Sequence, residues 1–318
     1  MTTFLDKRII NLYSANGTLF NGNLNSRVQF QFTDMLHDKD LAFAEIGVIN
    51  AEIPVSFYVI NEYNNTLTVE YQLPLEPLTT TTTLTMTKGN YTATNFITTF
   101  LTLLEQVTSI TTPIETAVFI TLDRNTGRLL ISIDATFLAS LAFRGGSMFS
   151  IMGFVADFVV SGTATSPPNP INLLGINKIS IKSDRIATYN YDSAVQGFSN
   201  TLTTIEVDSP PYGIILYKNT SLVYNILRVR DLDIFTIELT DEKGNPIDFN
   251  GQEWSITLGL NLHRFTPTNT NKTFRDILTQ PNKETNGPKE TNGPKESKES
   301  EKPKKEKKKD NDLELLMR

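Results

Sequence analysis

Apolar residues recur at every second position through much of this chain, and that alternation confines most of it to β-structure. The cleanest run is Trp254-Ser-Ile-Thr-Leu-Gly-Leu-Asn-Leu262, apolar at alternate positions over nine residues. A period of two places all of those side chains on one face of a pleated strand. Phe235–Leu239, Val28–Thr33, Leu67–Tyr71 and Ile179–Lys182 repeat the pattern. Between Phe235–Leu239 and Trp254–Leu262 lies Asp241–Pro246, a predicted turn with Gly244 for the left-handed position. Ile120–Leu122 and Leu130–Ile133 flank Asp123–Gly127, a predicted hairpin. Short strands punctuated by Asn, Gly and Pro predict a β-sandwich or barrel.

One segment departs from this period. Phe96, Ile97, Phe100, Leu101, Leu104 and Val107 fall at helical spacing after the Gly89-Asn90 turn. They predict one amphipathic helix within 91–107, capped by Thr92 or Thr94 and packed on a sheet. Leu78–Thr83, with its run of threonines, and Ser161–Pro170 are expected to be loops. The middle of the chain, roughly 62–170, thus reads as α+β, inserted between two β-rich ends.

The C-terminal stretch cannot belong to the same body. KETNGP occurs twice in tandem, at Lys283–Pro288 and Lys289–Pro294, and a Lys/Glu/Pro-rich run follows. So little apolar surface cannot offset the entropy of ordering, so residues 269–318 are expected to be disordered. Lys302–Lys309 is its most basic part, and Leu313–Arg318 is either a short docking peptide or merely the end of a solubilising tail. From Pro281 onward there are eleven basic and nine acidic side chains, which leaves 18 basic against 26 acidic in residues 1–280. A body at −8 excludes a DNA-coating role, because phosphate neutralisation needs clustered Lys and Arg. The tail is not excluded from touching DNA.

Cysteine is absent, which excludes disulfides, thiolate metal sites and a cysteine nucleophile. The N-terminal residues carry no signal-peptide pattern, and no run of 18 apolar residues occurs. The expectation is a soluble chain made in a reducing compartment.

Candidate chemistry is sparse. His37 lies among Asp34, Asp38 and Asp40, a set that a metal or an acid–base site could use, or a polar loop. His263 ends a strand beside Arg264. Asp231, Asp233, Asp241 and Glu242 stand near strand ends, as a glycosidase pair would, or as ordinary turn carboxylates. Arg144-Gly-Gly-Ser147 resembles a double-glycine processing site or a glycine turn. Phosphate-loop, dinucleotide, zincin, EF-hand and nucleophile-elbow patterns do not occur. The expectation is therefore no enzyme, with no catalytic, cofactor-binding or metal residues and no cofactor.

Several stretches, taken in order, resemble minor capsid (penton) proteins of virophages and Polinton-like viruses, of the double-jelly-roll lineage. They are Ile53–Asn61 with Asn64-Asn65, Gly89–Thr92 leading into the helix, Thr121–Leu129 with Met152-Gly-Phe154, and Ile237–Leu258 with its D-E-K-G and D-F-N-G-Q-E-W runs. Together they span most of residues 40–262. The resemblance implies a jelly-roll β-sandwich built from 1–61 and 171–268, with 62–170 as an insertion domain. It implies a virion protein, assembled in the host cell interior, that forms homopentamers at five-fold vertices among copies of a major capsid protein. The Lys-rich tail departs from the family pattern. Facing inward, Lys302–Lys309 would touch genome DNA or an internal membrane. Two alternatives stay open: a receptor-binding spike or fibre head, and a β-sandwich carbohydrate-binding module. The second would need several exposed aromatic residues on one face, and the chain has a single Trp, Trp254.

Overall fold

A computed structural model describes residues 3–20, 24–32, 41–108, 117–160, 162–186, 190–192, 197–220, 223–227 and 233–265. The expected disordered tail with Lys302–Lys309, and the His37 cluster, lie outside the described residues. The chain opens with β1 (Thr3–Tyr13), β2 (Thr18–Leu19), β3 (Arg27–Gln31) and the long β4 (Leu41–Pro54). Next come β5 (Thr66–Gln72), β6 (Thr80–Thr85), helix α1 (Ala93–Thr108), β7 (Val118–Asp123), β8 (Arg128–Ile133) and β9 (Ser140–Phe143). The short helix α2 (Phe149–Met152) and β10 (Phe158–Val160) complete this middle stretch. Then follow β11 (Lys178–Ser183), β12 (Asn190–Asp192), β13 (Gly197–Ser199), β14 (Thr201–Glu206) and β15 (Ile214–Lys218). The last three strands are β16 (Asn225–Ile226), β17 (Ile234–Thr240) and β18 (Ser255–Phe265).

The ends of the chain pair with each other. β1 runs antiparallel to β18 along its whole length, from Thr3 opposite Phe265 to Tyr13 opposite Ser255. Moving inward, β3 pairs with β17, β4 with β15 and β16, and β11 with β14. This is one long hairpin, and it is rolled over so that β18 also pairs with β4 and β17 with β11. Two sheets result, in the orders β1-β18-β4-β15 and β14-β11-β17-β3-β2. That arrangement is a jelly-roll β-sandwich.

Alternation explains why the sheets stack. β3 buries Val28 and Phe30, β11 buries Ile179 and Ile181, and β17 buries Phe235, Ile237 and Leu239. Facing them are Ile46, Val48 and Ile53 of β4 and Ile256, Leu258 and Leu260 of β18, in the same buried cluster. Trp254 closes one end of that cluster. It is 2% exposed, its ring meets Phe30 edge-on at 6.2 Å, and its Nε1 donates to the Asn25 carbonyl at 2.7 Å.

The middle stretch has a separate buried cluster. α1 packs beside β6 and β7, and its Phe96, Phe100 and Leu104 share this cluster with Leu67 and Val69 of β5 and Leu129 and Ile131 of β8. An aromatic run extends it, with ring centroids 6.0 Å apart for Phe100–Phe143, 5.2 Å for Phe143–Phe154 and 4.9 Å for Phe154–Phe158. Thr92 caps the helix as expected: its Oγ1 accepts the Asn95 N–H at 3.2 Å and its carbonyl the Phe96 N–H at 2.8 Å. The Asp123–Gly127 hairpin also forms, with Gly127 at φ +68°.

One expectation needs correction. Residues 78–83 are not simply a loop, since Thr80–Thr85 pairs in register with β5 as the edge of the sheet β10-β9-β5-β6. Threonine is β-branched, and an edge strand that buries only Leu84 needs little more than that preference. Asp241–Pro246 forms its turn, with Gly244 at φ +88°, yet β17 and β18 are not hairpin partners. After Ile247 and Phe249 enter the core, the chain crosses to the opposite sheet. β1 was not legible as a strand, because only Ile10 and Leu12 of its described side chains are buried.

Candidate assembly surface

The residues singled out for chemistry do not converge. Asp231 lies outside the described residues. Asp233 and Asp241 flank the two ends of β17, a separation of roughly 20 Å or more at about 3.3 Å per strand residue. Asp241 is spent on its own turn, accepting the N–H groups of Lys243 at 2.9 Å and Asn245 at 2.8 Å, and the Asn245 amide at 2.9 Å. Glu242 is exposed in that turn. His263 stacks on Phe43 with ring centroids 4.1 Å apart, and its Nε2 lies 3.1 Å from Glu45 Oε2. Among the described residues no group of three His, Cys, Asp or Glu could hold a metal ion.

Arg144-Gly-Gly-Ser147 is a packed turn. Arg144 bridges Glu70 at 2.8 Å and Asp157 at 3.4 Å, and the Gly145 carbonyl accepts the Thr68 N–H at 2.7 Å. Gly146, at φ +128°, sits so close to β5 that a Cβ would lie 2.4 Å from the Thr66 carbonyl oxygen. Trp254 is core, so it offers no platform for a sugar.

What the body does present is a contrast between the outer faces of its two sheets. On the second sheet, the residues opposite the core are Gln29 of β3, Glu238 of β17, Ser180 and Lys182 of β11 and Thr204 of β14, all polar. On the first sheet, exposed Lys7, Asn11, Glu52 and Lys218 share the outer face with Ile9 and Tyr13 of β1 and Ile214 and Leu216 of β15, and these last four are 68%, 53%, 59% and 73% exposed. Their neighbours Ile10, Leu12 and Ile215 point into the core, so alternation forces these four outward. In the middle of this face Gly47 and Gly259 stand opposite each other, and Tyr224 packs over the space that their missing side chains leave.

A charged cluster joins the two buried clusters. Lys88, just beyond β6, lies 2.8 Å from Glu62 and 3.8 Å from Asp248, which follows the turn after β17. Burial pushes the Glu62 carboxyl up, but the Lys88 hydrogen bond, a backbone N–H and the Lys88 charge outweigh it and hold the group below its ordinary range. The same hydrogen bond raises Lys88 above its ordinary value, against desolvation. Burial, and then the Glu62 and Asp241 charges, raise the neighbouring Tyr63.

No family model and no curated protein sequence matches the chain. Among solved structures, the crystal structure of the selenomethionine-labelled mavirus penton protein is similar over 81% of this chain and 100% of that one, with a TM-score of 0.45 and 12% identity. A chain from the cryo-electron microscopy structure of the Sputnik virophage is similar over 80% of this chain and 97% of that one, with a TM-score of 0.37 and 13% identity.

Proposed function

We propose that the chain is a structural virion protein, a minor capsid subunit of penton type that closes into homopentamers at five-fold vertices among copies of a major capsid protein. The observation that carries this reading is a jelly-roll body whose first sheet turns aliphatic and aromatic side chains to its outer face. Ring association through unlike patches covers such a surface on every copy. The residues that resemble penton proteins support it by where they fall. Ile53–Asn61 leads from β4 out to the middle stretch, and Ile237–Leu258 carries the chain from one sheet to the other. In this reading residues 1–61 and 171–268 form the capsid body and 62–170 an outward domain. Mechanism here is association geometry and not a chemical step.

If the tail of the assembled subunit faces inward, Lys302–Lys309 meets genome DNA or an internal membrane, and binding falls steeply with salt. Light scattering coupled to size exclusion of the full chain, across a tenfold concentration range, tests the reading. The expected mass is five subunits of 35.6 kDa, about 178 kDa, or a monomer converting to that species as concentration rises. A stable trimer contradicts the pentamer and favours a spike or fibre head.

A further inference from the structure

Where β4 hands the chain to the middle stretch, the body carries a groove of about 510 Å³. Small-molecule sites occupy about 300–1,000 Å³. Three segments build this one: 54–58 after β4, 212–214 at the start of β15, and 250–253 ahead of β18. Hydrogen bonds tie them together. The Val55 N–H donates to the Gly213 carbonyl at 2.9 Å, and the Tyr212 N–H to the Val55 carbonyl at 2.8 Å. The Asn250 amide donates to the Ser56 carbonyl at 2.5 Å, and Ser56 Oγ to the Phe249 carbonyl at 2.6 Å. Walls fixed in this way spare a ligand the cost of ordering them.

The lining is aromatic and polar. Phe57 is buried in the body core, whereas its neighbours Ser56 and Tyr58 line the groove. Tyr212 is 84% exposed and holds a left-handed backbone, φ +68°. That backbone is costly for a residue with a Cβ, and so exposed a ring recovers nothing from core packing. Strain of this kind gathers at ligand clamps. Among the described residues, no side-chain hydrogen bond or ion pair engages Tyr58, Tyr212, Gln252 or Glu253. Two phenols, an amide and a carboxylate thus stand uncommitted around one cavity. An adjoining hollow of about 220 Å³ shares Pro54, Ile214 and Glu253 and adds exposed Tyr13 and Glu52. Among the described residues no Lys, Arg or His lines either space.

We infer that this groove binds a neutral oligosaccharide, stacking sugar rings on Tyr58 and Tyr212 and pairing their hydroxyls with Asn250, Gln252 and Glu253. A sugar ring offers an apolar C–H face to an aromatic ring, and hydroxyls that both donate and accept. The Glu253 carboxylate only accepts, so hydroxyls satisfy it where a proline-rich segment, poor in donors, leaves it unpaired. Glu52 and Glu253, with no cation beside them, select against sialylated or sulfated chains. Tyr13 and Glu52 continue the same chemistry into the hollow. Binding is a property of one subunit and does not depend on the vertex reading. In that reading the groove opens at the end of the body from which residues 62–170 depart.

The test is isothermal titration calorimetry of the full chain with maltoheptaose, cellopentaose and chitohexaose, against sialyllactose and the capped peptide PPLPPLP. At least one neutral sugar is expected to bind with a Kd on the order of 100 μM, and sialyllactose and the peptide at least tenfold more weakly. Tyr212→Gly and Glu253→Gln should each weaken the neutral sugar about tenfold or more. Tyr212→Gly also relieves the left-handed backbone, so its melting temperature should stay or rise. Leu216→Ser, exposed on the same sheet outside the groove, should leave binding unchanged. The inference is overturned if no neutral sugar binds, if sialyllactose or the peptide matches the best of them, or if Tyr212→Gly binds as the parent does. A lower melting temperature for Tyr212→Gly, or equal weakening by Leu216→Ser, also overturns it.

Discussion

The body and the middle stretch are both β-rich, but they close in opposite ways. In the body β1 pairs with β18 and β3 with β17, so its core of Val28, Ile181, Ile237 and Leu258 requires nearly the whole chain. In the middle stretch β5 pairs with β6, β7 with β8, and α1 packs on strands near it in sequence. The body core is mostly aliphatic, as two stacked sheets demand, whereas the middle core is built around Phe96, Phe100, Phe143 and Phe154 under a helix. The difference shows how an insertion between β4 and β11 can be tolerated. Its closure is local, and the roll needs only that its two ends stay near each other.

Core truncation is expected to have the largest effect in both regions. Trp254→Ala should cost about 3–5 kcal/mol, as should Phe143→Ala, measured by denaturant unfolding. By hydrogen exchange, Trp254→Ala should lower protection in the body strands first and Phe143→Ala in residues 66–160 first. Equal loss everywhere in both variants would contradict two separately closed cores. A Trp254→Ala loss within the ±0.5 kcal/mol of surface sites would contradict its core placement.

The glycine turn is the next most sensitive point of the middle stretch. Gly146→Ala should cost about 1–3 kcal/mol through backbone strain and its overlap with Thr66. Gly145→Ala, at φ +126° with no neighbour within 4 Å of its Cβ, should cost less. Equal thermal shifts for the two would show that close approach to β5 does not matter. Thr92→Ala removes the helix cap at a cost of about 1 kcal/mol, read as an earlier loss of α1.

The smallest effect expected is at the ion pair joining the two regions. Lys88→Met should cost about 0.2–1 kcal/mol, the range of exposed pairs. Glu62 is held below its ordinary value, so its contribution is fully present above that value and is lost as pH falls through the folded one. Lys88 is raised, so its contribution is present below its ordinary value and lost as pH rises through the folded one. Lys88→Met should therefore flatten the acid limb of stability against pH near Glu62. An unchanged acid limb would show that the pair does not hold the regions together.

The sequence made the body legible where strands have one wet face. Val28–Phe32, Ile179–Lys182 and Trp254–Leu262 alternate because the sandwich buries one side of each. α1 was legible from its spacing and its threonine cap. β6 was missed because an edge strand of threonines buries too little to leave an alternating trace. β1 was missed because its pairing with β18 is a long-range fact that no local pattern carries. The same holds for the exposed face. Ile9, Tyr13, Ile214 and Leu216 come from distant strands, and only the rolled pairing of the ends puts them on one sheet. Asn250, at φ +50°, opens an Asn-Gly pair, itself a local signal of a left-handed turn, whereas nothing in the sequence marks Tyr212, at φ +68°, for that backbone.

In the proposed role this jelly-roll body is a shell subunit at a five-fold vertex. Icosahedrally averaged cryo-electron microscopy of particles purified from a source that expresses the chain tests this role. Five copies are expected around each five-fold axis, with the jelly roll in the shell and residues 62–170 outward. Density for the chain at a trimeric spike, or no copy of it in the particle, would contradict the claim.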